Sequence, residues 1–272
     1  FLGYLVLLLI NPAGAWGAIT NVMKNFMTYS SGKAQLKYLG NTLVRTAPLL
    51  MCSLSVLFVY KVGLFNIGAA GQYVAGACAC LYAGLYLHWH WLPCMLLAIA
   101  AGALLGMISG LLKSSFNVSE VISGIMLNWI ALYTTNMLLT NVKEPTSPYT
   151  YQLKAEGPQA ILPGISLSKL LSGNQYVTIA IPIAIVCAIV IWVVLSKTLF
   201  GYELKATGNN PNAAKYCGMA EKRNIILTLA IGGALAGLGA SLLYQTGYEQ
   251  WQCTYSSVPS MGFNGIAAAF LG

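Results

Sequence analysis

Six apolar runs separated by polar connections constrain this chain more than any single motif: Leu43–Tyr60, Ile67–Leu87, Leu92–Leu112, Val118–Leu139, Tyr176–Leu195 and Ile225–Tyr244, with partial runs at each end. Each is close to the about 20 residues that carry an α-helix across a bilayer. Surrounded by hydrocarbon, such a run must satisfy its own backbone hydrogen bonds, which leaves a helix or a closed barrel. The short alternating segments of a barrel are not seen. Composition agrees: 57% of residues are hydrophobic, 7% are charged, and there is no Asp. The expected fold is all-α, a polytopic transmembrane helical bundle of six complete spans plus partial spans at both ends, with residues 1–272 forming a single transmembrane domain. The chain begins without Met and stops inside an apolar run, so both ends read as cut. Phe1–Ile10 reads as the tail of an earlier span rather than a signal peptide, which would need a basic leader and a cleavage site.

The net charge of +8 comes from basic residues scattered through the connections rather than gathered into a patch. That distribution argues for membrane-flanking cations and against nucleic acid as a partner. Two connections are long. Asn141–Gln175 is rich in Pro, Gly and Ser and should be irregular. The other contains Gly201–Arg223, a polar loop carrying Lys205, Lys215, Lys222 and Arg223 against Glu203 and Glu221. If that loop is cytoplasmic, alternation of spans puts Lys61 and Lys113 on the same side and His88–Trp91 and Asn141–Gln175 outside. Asn11–Gly40 then falls outside despite Lys24, Lys33 and Lys37, against the positive-inside tendency; an extra re-entrant element there would change the count.

Chemistry is limited by what is missing. Without Asp there is no aspartyl dyad, HExxH and GxSxG do not occur, and no GxxxxGK[ST] is present to cradle ATP phosphates. His88 and His90 stand in His88-Trp-His-Trp91, a poor metal site and a good interfacial belt. Cys52, Cys78, Cys80 and Cys187 lie in apolar runs, where Cys behaves as a small hydrophobe. No cofactor is implied. Gly102, Gly106 and Gly110, with Gly233/Gly237 and Ala236/Ala240, have the spacing that lets helix backbones approach closely.

Polar groups inside spans are costly and therefore candidates for function. Stepping about 100° per residue along Val118–Leu139 puts Glu120, Gly124, Asn128, Ala131 and Thr135 on one narrow face, with Ile122, Ile125, Met126, Trp129 and Tyr133 on the remainder. That stripe either lines a solute path or glues helices together. Asn117 precedes Glu120 by three, the spacing of a capping box, and Glu120 reads as the capping partner. Gln72, on a stripe with Gly68, Ala75, Gly76, Ala79 and Ala83, either bonds across a close contact or faces a cavity; Asn66 reads as an N-cap. In the polar loop, Asn210-Pro211 is a helix start and Gly218 a stop, giving a helix over Pro211–Cys217. It is too short to be stable alone in water, so a surface or a partner must hold it.

Four segments carry a resemblance: FNIGAAGQ at Phe65–Gln72, NVSEVISGIMLNWIALY at Asn117–Tyr133, TLFGYELKATGNNPNAAKYCGM at Thr198–Met219 and GFNGIAAAFLG at Gly262–Gly272. Together they resemble the permease subunits of ABC importers of the branched-chain amino acid and ribose group, and among these the nucleoside, guanosine-uptake kind. The resemblance covers nearly the whole chain from about Asn11. It implies a multi-pass subunit of the cytoplasmic membrane that is not an enzyme. Its implied partners are cytoplasmic ABC ATPases, a sibling or identical permease subunit and an extracytoplasmic substrate-binding protein. It implies that residues 201–223 form a cytoplasmic coupling loop, with Asn209, Asn210, Pro211, Ala213, Ala214, Tyr216 and Gly218 coupling to the ATPase. A neutral solute, a nucleoside or similar sugar-containing molecule, is then expected to pass Asn66, Gln72, Asn128 and Thr135 by alternating access. Ala70 stands where the family carries Glu, and the family usually continues beyond Gly272. The alternative is a secondary transporter or channel, which would need an intramembrane ion relay, whereas Glu120 is the sole acid within the six runs.

Overall fold

A computed structural model describes residues 31–271 together with residues 8, 10, 14–18, 20 and 21. The expected element at Phe1–Ile10 and the connection through residues 22–30 lie largely or wholly outside the described residues. Eleven helices follow from residue 31: α1 (Gly32–Tyr60), α2 (Ala69–Leu85), α3 (Trp91–Phe116), α4 (Glu120–Leu139), α5 (Leu153–Glu156), α6 (Leu167–Leu170), α7 (Ala180–Lys197), α8 (Leu199–Asn209), α9 (Pro211–Tyr216), α10 (Glu221–Tyr244) and α11 (Met261–Leu271). Among the described residues there is no strand, only isolated bridges such as Lys143 with Thr150 and Tyr149 with Gln252. Five helices, α1, α3, α4, α7 and α10, are long and apolar enough to cross a membrane. The sixth expected span folds as the 17-residue α2, about 25 Å long at 1.5 Å per residue. The all-α, polytopic expectation holds.

Glycines decide where the helices touch. A Cβ on Gly102 would collide with the Gly233 carbonyl oxygen, one on Gly106 with the Leu229 carbonyl oxygen, and one on Gly110 would press on the backbone of Ile226. The three glycines of α3 thus run along α10 with backbone against backbone, as their spacing predicted. Gly237 of α10 also meets Gly76 of α2, so three helices converge at one point. Consequently α10 is central, with 72% of its most apolar window buried, against 11% for α7, whose Ile185, Val186, Ile189 and Trp192 are exposed and suited to lipid.

The polar stripe of α4 lies where its period predicted: Gly124, Asn128, Ala131 and Thr135 are buried, whereas Ile122, Ile125, Met126 and Tyr133 are exposed. Its buried face meets α2. Gly124 abuts the backbone of Gly68, a Cβ on Gly71 would strike Asn128, and the Asn128 side chain accepts from Gly71 N at 2.7 Å and donates to the Ile67 carbonyl at 3.1 Å. Those bonds satisfy backbone groups at the start of α2 that the helix itself leaves unpaired.

Four local expectations need correction. Asn117 is the left-handed C-cap of α3 (φ 52°), so it cannot form a capping box with Glu120; the N-cap of α4 is Ser119, and the Glu120 carboxylate pairs with Lys113 Nζ at 2.9 Å. Asn66 is no N-cap: the N-cap of α2 is Gly68, and the Asn66 amide is occupied elsewhere. Gly201–Arg223 is mostly helical rather than a loop. Thr198 Oγ accepts from Gly201 N at 3.1 Å to start α8, and Leu204 and Thr207 are buried, which gives that segment an anchored face. Similarly, α1 starts at Gly32, capped by Ser31, so Lys33 and Lys37 belong to a helix rather than to a connection.

Replacing Gly106 by Leu forces a side chain into the α10 backbone and should destabilise the protein by about 3 kcal/mol or more. Gly164→Ala, where nothing lies within 4 Å of the added carbon, should leave stability unchanged; thermal unfolding in detergent compares the two. Asn128→Leu strands the buried Gly71 N–H and should cost about 1–3 kcal/mol in the same measurement.

Candidate functional site

Two polar regions lie at opposite ends of the spans. The first follows α7. Within it, Asn210 is the N-cap of α9 through its side-chain oxygen, which accepts from Ala213 N at 3.0 Å, with Pro211 at the first helical position. The helix ends at Tyr216 with Cys217 as C-cap, and Gly218 takes φ 82°, the left-handed geometry that favours glycine. The sequence-predicted residues here come together and divide by exposure. Asn209, Asn210, Pro211, Ala213, Tyr216 and Gly218 are exposed, Tyr216 to 93%, whereas Ala214 is buried at 3%. Ala214 thus anchors the short helix, and its carbonyl accepts from Met219 N at 3.0 Å.

Behind α9, the neighbouring α8 is fixed to the bundle at two places. Asn224 of α10 donates to Thr207 Oγ at 2.9 Å, both side chains being buried. A Cβ on Gly208 would collide with the Val62 carbonyl oxygen, and Gly63 opposite takes φ 77°. Between these elements lies a cavity of about 500 Å³ bordered by Gly63, Lys113, Glu120, Thr207, Pro211 and Glu221.

Asn66, Gln72, Asn128 and Thr135 are all buried. Asn66 Nδ2 donates to Ser55 Oγ at 3.0 Å and to Gln72 Oε1 at 2.8 Å, and Gln72 Nε2 returns a bond to Asn66 Oδ1 at 3.2 Å. Asn128 serves the start of α2. Thr135 lies by Cys78, on an apolar recess between α2, α3 and α4. The structure therefore joins Asn66 with Gln72, places Asn128 beside them and leaves Thr135 apart. Ala70, where a Glu was noted as missing, is buried with its backbone against Gly262 of α11. A longer side chain has no room on that side.

The second polar region, at the opposite end, was not found from the sequence. The connection from Gln245 to Ser260 dips beside α1 and α2 and borders a cavity of about 390 Å³ with Arg45, Tyr73, Tyr244, Glu249, Tyr255 and Asn264 among its walls. The aromatic rings form a chain: Tyr73 to Tyr244 at 6.3 Å, Tyr244 to Trp251 at 6.1 Å and Trp251 to Tyr255 at 5.2 Å between centroids. Trp251 is fully buried, and its Nε1–H donates to Asn136 Oδ1 at 3.0 Å while Asn136 Nδ2 donates to the Tyr255 carbonyl at 2.9 Å. Burial raises the Glu249 carboxyl above its ordinary range, and Arg45 pulls it partly back. Arg45 itself sits over the Tyr248 ring at 5.3 Å. On the other side of Glu249, Lys154 Nζ lies 4.0 Å from the Tyr176 ring centroid, finds no hydrogen-bond acceptor, and is lowered by desolvation. A signal existed: Glu249 is one of six acids in the whole chain, set among Tyr248, Trp251 and Tyr255. Because the residue lies beyond the apolar runs, a search confined to spans passes over it. Among the described residues no group of three or more His, Cys or Glu could hold a metal ion.

The family described as branched-chain amino acid transport system / permease component matches residues 38–272. The guanosine ABC transporter permease protein NupP of Bacillus subtilis (strain 168) is 35% identical over 245 residues, covering 88% of this chain and 68% of its own length. The nucleoside ABC transporter permease protein NupB of Lactococcus lactis subsp. cremoris (strain MG1363) is 34% identical over 254 residues, covering 90% and 69%. The glucose ABC transporter permease protein TsgB13 of Haloferax volcanii is 29% identical over 278 residues, covering 98% and 70%. No solved structure matches. With its apolar helices, its four motifs in order and these relatives, the chain belongs to the branched-chain amino acid transport system permease family: it is a multi-pass membrane permease subunit of an ABC importer, and the ATPase resides in partner subunits.

Proposed function

We propose that this permease carries nucleosides across the cytoplasmic membrane, and that residues 201–223 are the cytoplasmic segment through which ATPase subunits drive it. The residues supporting the coupling assignment are those of α9: a short helix with an Asn210 cap and a buried Ala214 root that turns Tyr216 and Lys215 outward. An exposed aromatic beside a cation is what a partner's groove holds well. Asn209, Asn210, Pro211, Ala213, Tyr216 and Gly218 then form the docking face, and Ala214 fixes it to the permease. A second permease copy or a sibling completes the path, and an extracytoplasmic binding protein delivers solute at the end bordered by residues 245–260. The nucleoside assignment rests on the names of the two relatives at 35% and 34% identity.

Alternating access follows from the stiffness of the connections. Movement of α9 is passed to α8 and through the Gly208 backbone to Val62–Gly63, just before Asn66. Asn66 and Gln72 share two hydrogen bonds, so displacement of the α1–α2 connection shifts the start of α2 as a body. We assign Asn66, Gln72 and Asn128 to shaping the wall of the solute path. Their amides hold α2 in place, and Thr135, apart from them along the same face of α4, extends that path.

Tyr216→Asp places a charge on the docking face without touching the anchored side, and should weaken ATPase association by about 2 kcal/mol, roughly thirtyfold in Kd. Co-purification with the ATPase measures it; undiminished association rejects the coupling assignment. Proteoliposomes with permease, ATPase and binding protein should take up guanosine only with ATP inside the compartment facing α9, and uptake driven by an ion gradient alone would contradict the mechanism.

A further inference from the structure

The cavity at the end opposite α9 has features that exceed those of a passive opening. Its volume of about 390 Å³ falls in the about 300–1,000 Å³ range of small-molecule sites. One wall carries Tyr255, which is held from behind: the buried Trp251 meets its ring edge-on at 5.2 Å and donates to Asn136, whose amide donates to the Tyr255 carbonyl. A ring fixed in this way offers a stacking face at little cost in side-chain freedom. Across from them stands Glu249, which makes no hydrogen bond or ion pair within 4 Å among the described residues although Arg45 lies near enough to act on it. The hydroxyls of Tyr73, Tyr244 and Tyr255 likewise make no hydrogen bond among the described residues, and all three residues border the cavity. An ionised carboxylate accepts only, and its two oxygens suit two donors side by side.

We propose that this cavity is a nucleoside-binding site on the permease itself, in which the Glu249 carboxylate accepts two adjacent donors of the solute while its base stacks on the ring of Tyr255, the partly exposed aromatic residue of the wall. The proposal deepens the nucleoside reading above and rests on it. Two parts of a nucleoside present such a pair: the ring N–H and amino group of a guanine edge, and the 2′ and 3′ hydroxyls of ribose. The tyrosine hydroxyls and Asn264 then take the remaining polar groups, and Arg45 favours the carboxylate against the burial that raises it. Solute selectivity thereby acquires a second filter behind the binding protein, at the point where solute enters the bundle.

Equilibrium dialysis of radiolabelled nucleosides against the permease–ATPase complex in lipid nanodiscs, with no binding protein, tests this. Guanosine should bind saturably, and Glu249→Gln should weaken it about tenfold or more, since the second acceptor becomes a donor. Two further ligands locate the donors. If Glu249 takes the guanine edge, E249Q weakens 2′-deoxyguanosine and spares adenosine; if it takes the ribose diol, adenosine weakens and 2′-deoxyguanosine is spared. Either selective pattern supports the site. Equal loss for both ligands marks a structural role and overturns it, as does unchanged guanosine binding. Should E249Q fail to assemble, Glu249→Asp, which keeps the charge but retracts it, must show the same ligand-selective loss. Vesicle uptake separates the two readings: ATP-driven guanosine uptake without binding to the wild-type complex overturns this site alone, whereas absence of any nucleoside uptake and binding overturns the nucleoside assignment as well.

Discussion

Three backbones meet at Gly237. Its carbon faces Gly76 of α2 on one side and Gly102 of α3 on the other, and Ala98 closes the contact. In lipid there is no hydrophobic drive to bring helices together, so close approach and the dispersion contacts it permits must do so. A side chain at any of these positions would push a helix outward, and every element that depends on the α2–α3–α10 unit would move with it. α1 and α11 lean on this unit from one side, α4 from another, and α7 rides on α1 at the edge. The polar regions at the two ends of the bundle are therefore carried by one stiff body.

That same glycine seam explains why much of the fold could be read from the residues. The Gly102, Gly106 and Gly110 spacing and the period of the α4 stripe depend only on helix geometry, so they survive folding unchanged. What could not be read were choices between partners. Asn117 sits three before Glu120, yet Lys113 lies one turn back on the preceding helix; once the chain turns through Asn117 in the left-handed conformation, the cation reaches the carboxylate first. Asn66 likewise stands near a helix start, but Ser55 and Gln72 supply a denser set of bonds than a cap would. Gly201–Arg223 looked like a loop because its charges hide a short apolar face made of Leu204, Ala214 and the carbon-poor surfaces of Gly201 and Gly208. The 390 Å³ cavity was marked in the sequence by Glu249 alone: it joins Arg45 and Tyr73 to residues 243–264, and nothing local announces that meeting.

The start of α2 ties both ends together. Gln72 belongs to the Asn66 network, and its neighbour Tyr73 points a ring toward Tyr244 at the cavity. Ala70, one turn earlier in the same helix start, packs on Gly262 at the beginning of α11. Within four residues the chain thus contacts the connection that meets α8, the helix that follows the cavity, and the cavity itself. The Gln72 contact is hydrogen-bonded, the Ala70 contact is backbone-close and the Tyr73 contact is between buried rings, so a displacement at one is passed on through tightly packed groups.

Contiguity of this kind is what coupling between distant sites requires, although position alone does not establish it. The physical criterion is whether the element between the sites has two arrangements that both ends can bias. α2 meets half of that criterion by construction: at its start the Gly71 N–H donates to Asn128 Oδ1 of α4 at 2.7 Å, and Asn128 Nδ2 donates to the Ile67 carbonyl at 3.1 Å. A helix start held by a side chain from another helix can exchange that partner for another without unfolding. At this contact Gly68 and Gly71 bring the α2 backbone against Gly124 and Asn128, and the Asn128 amide and the Ile67 side chain are what cross it. The stiffness of the α3–α10 contact and the replaceable bonds at the α2–α4 contact are therefore complementary: one fixes the frame, and the other is where the frame can open.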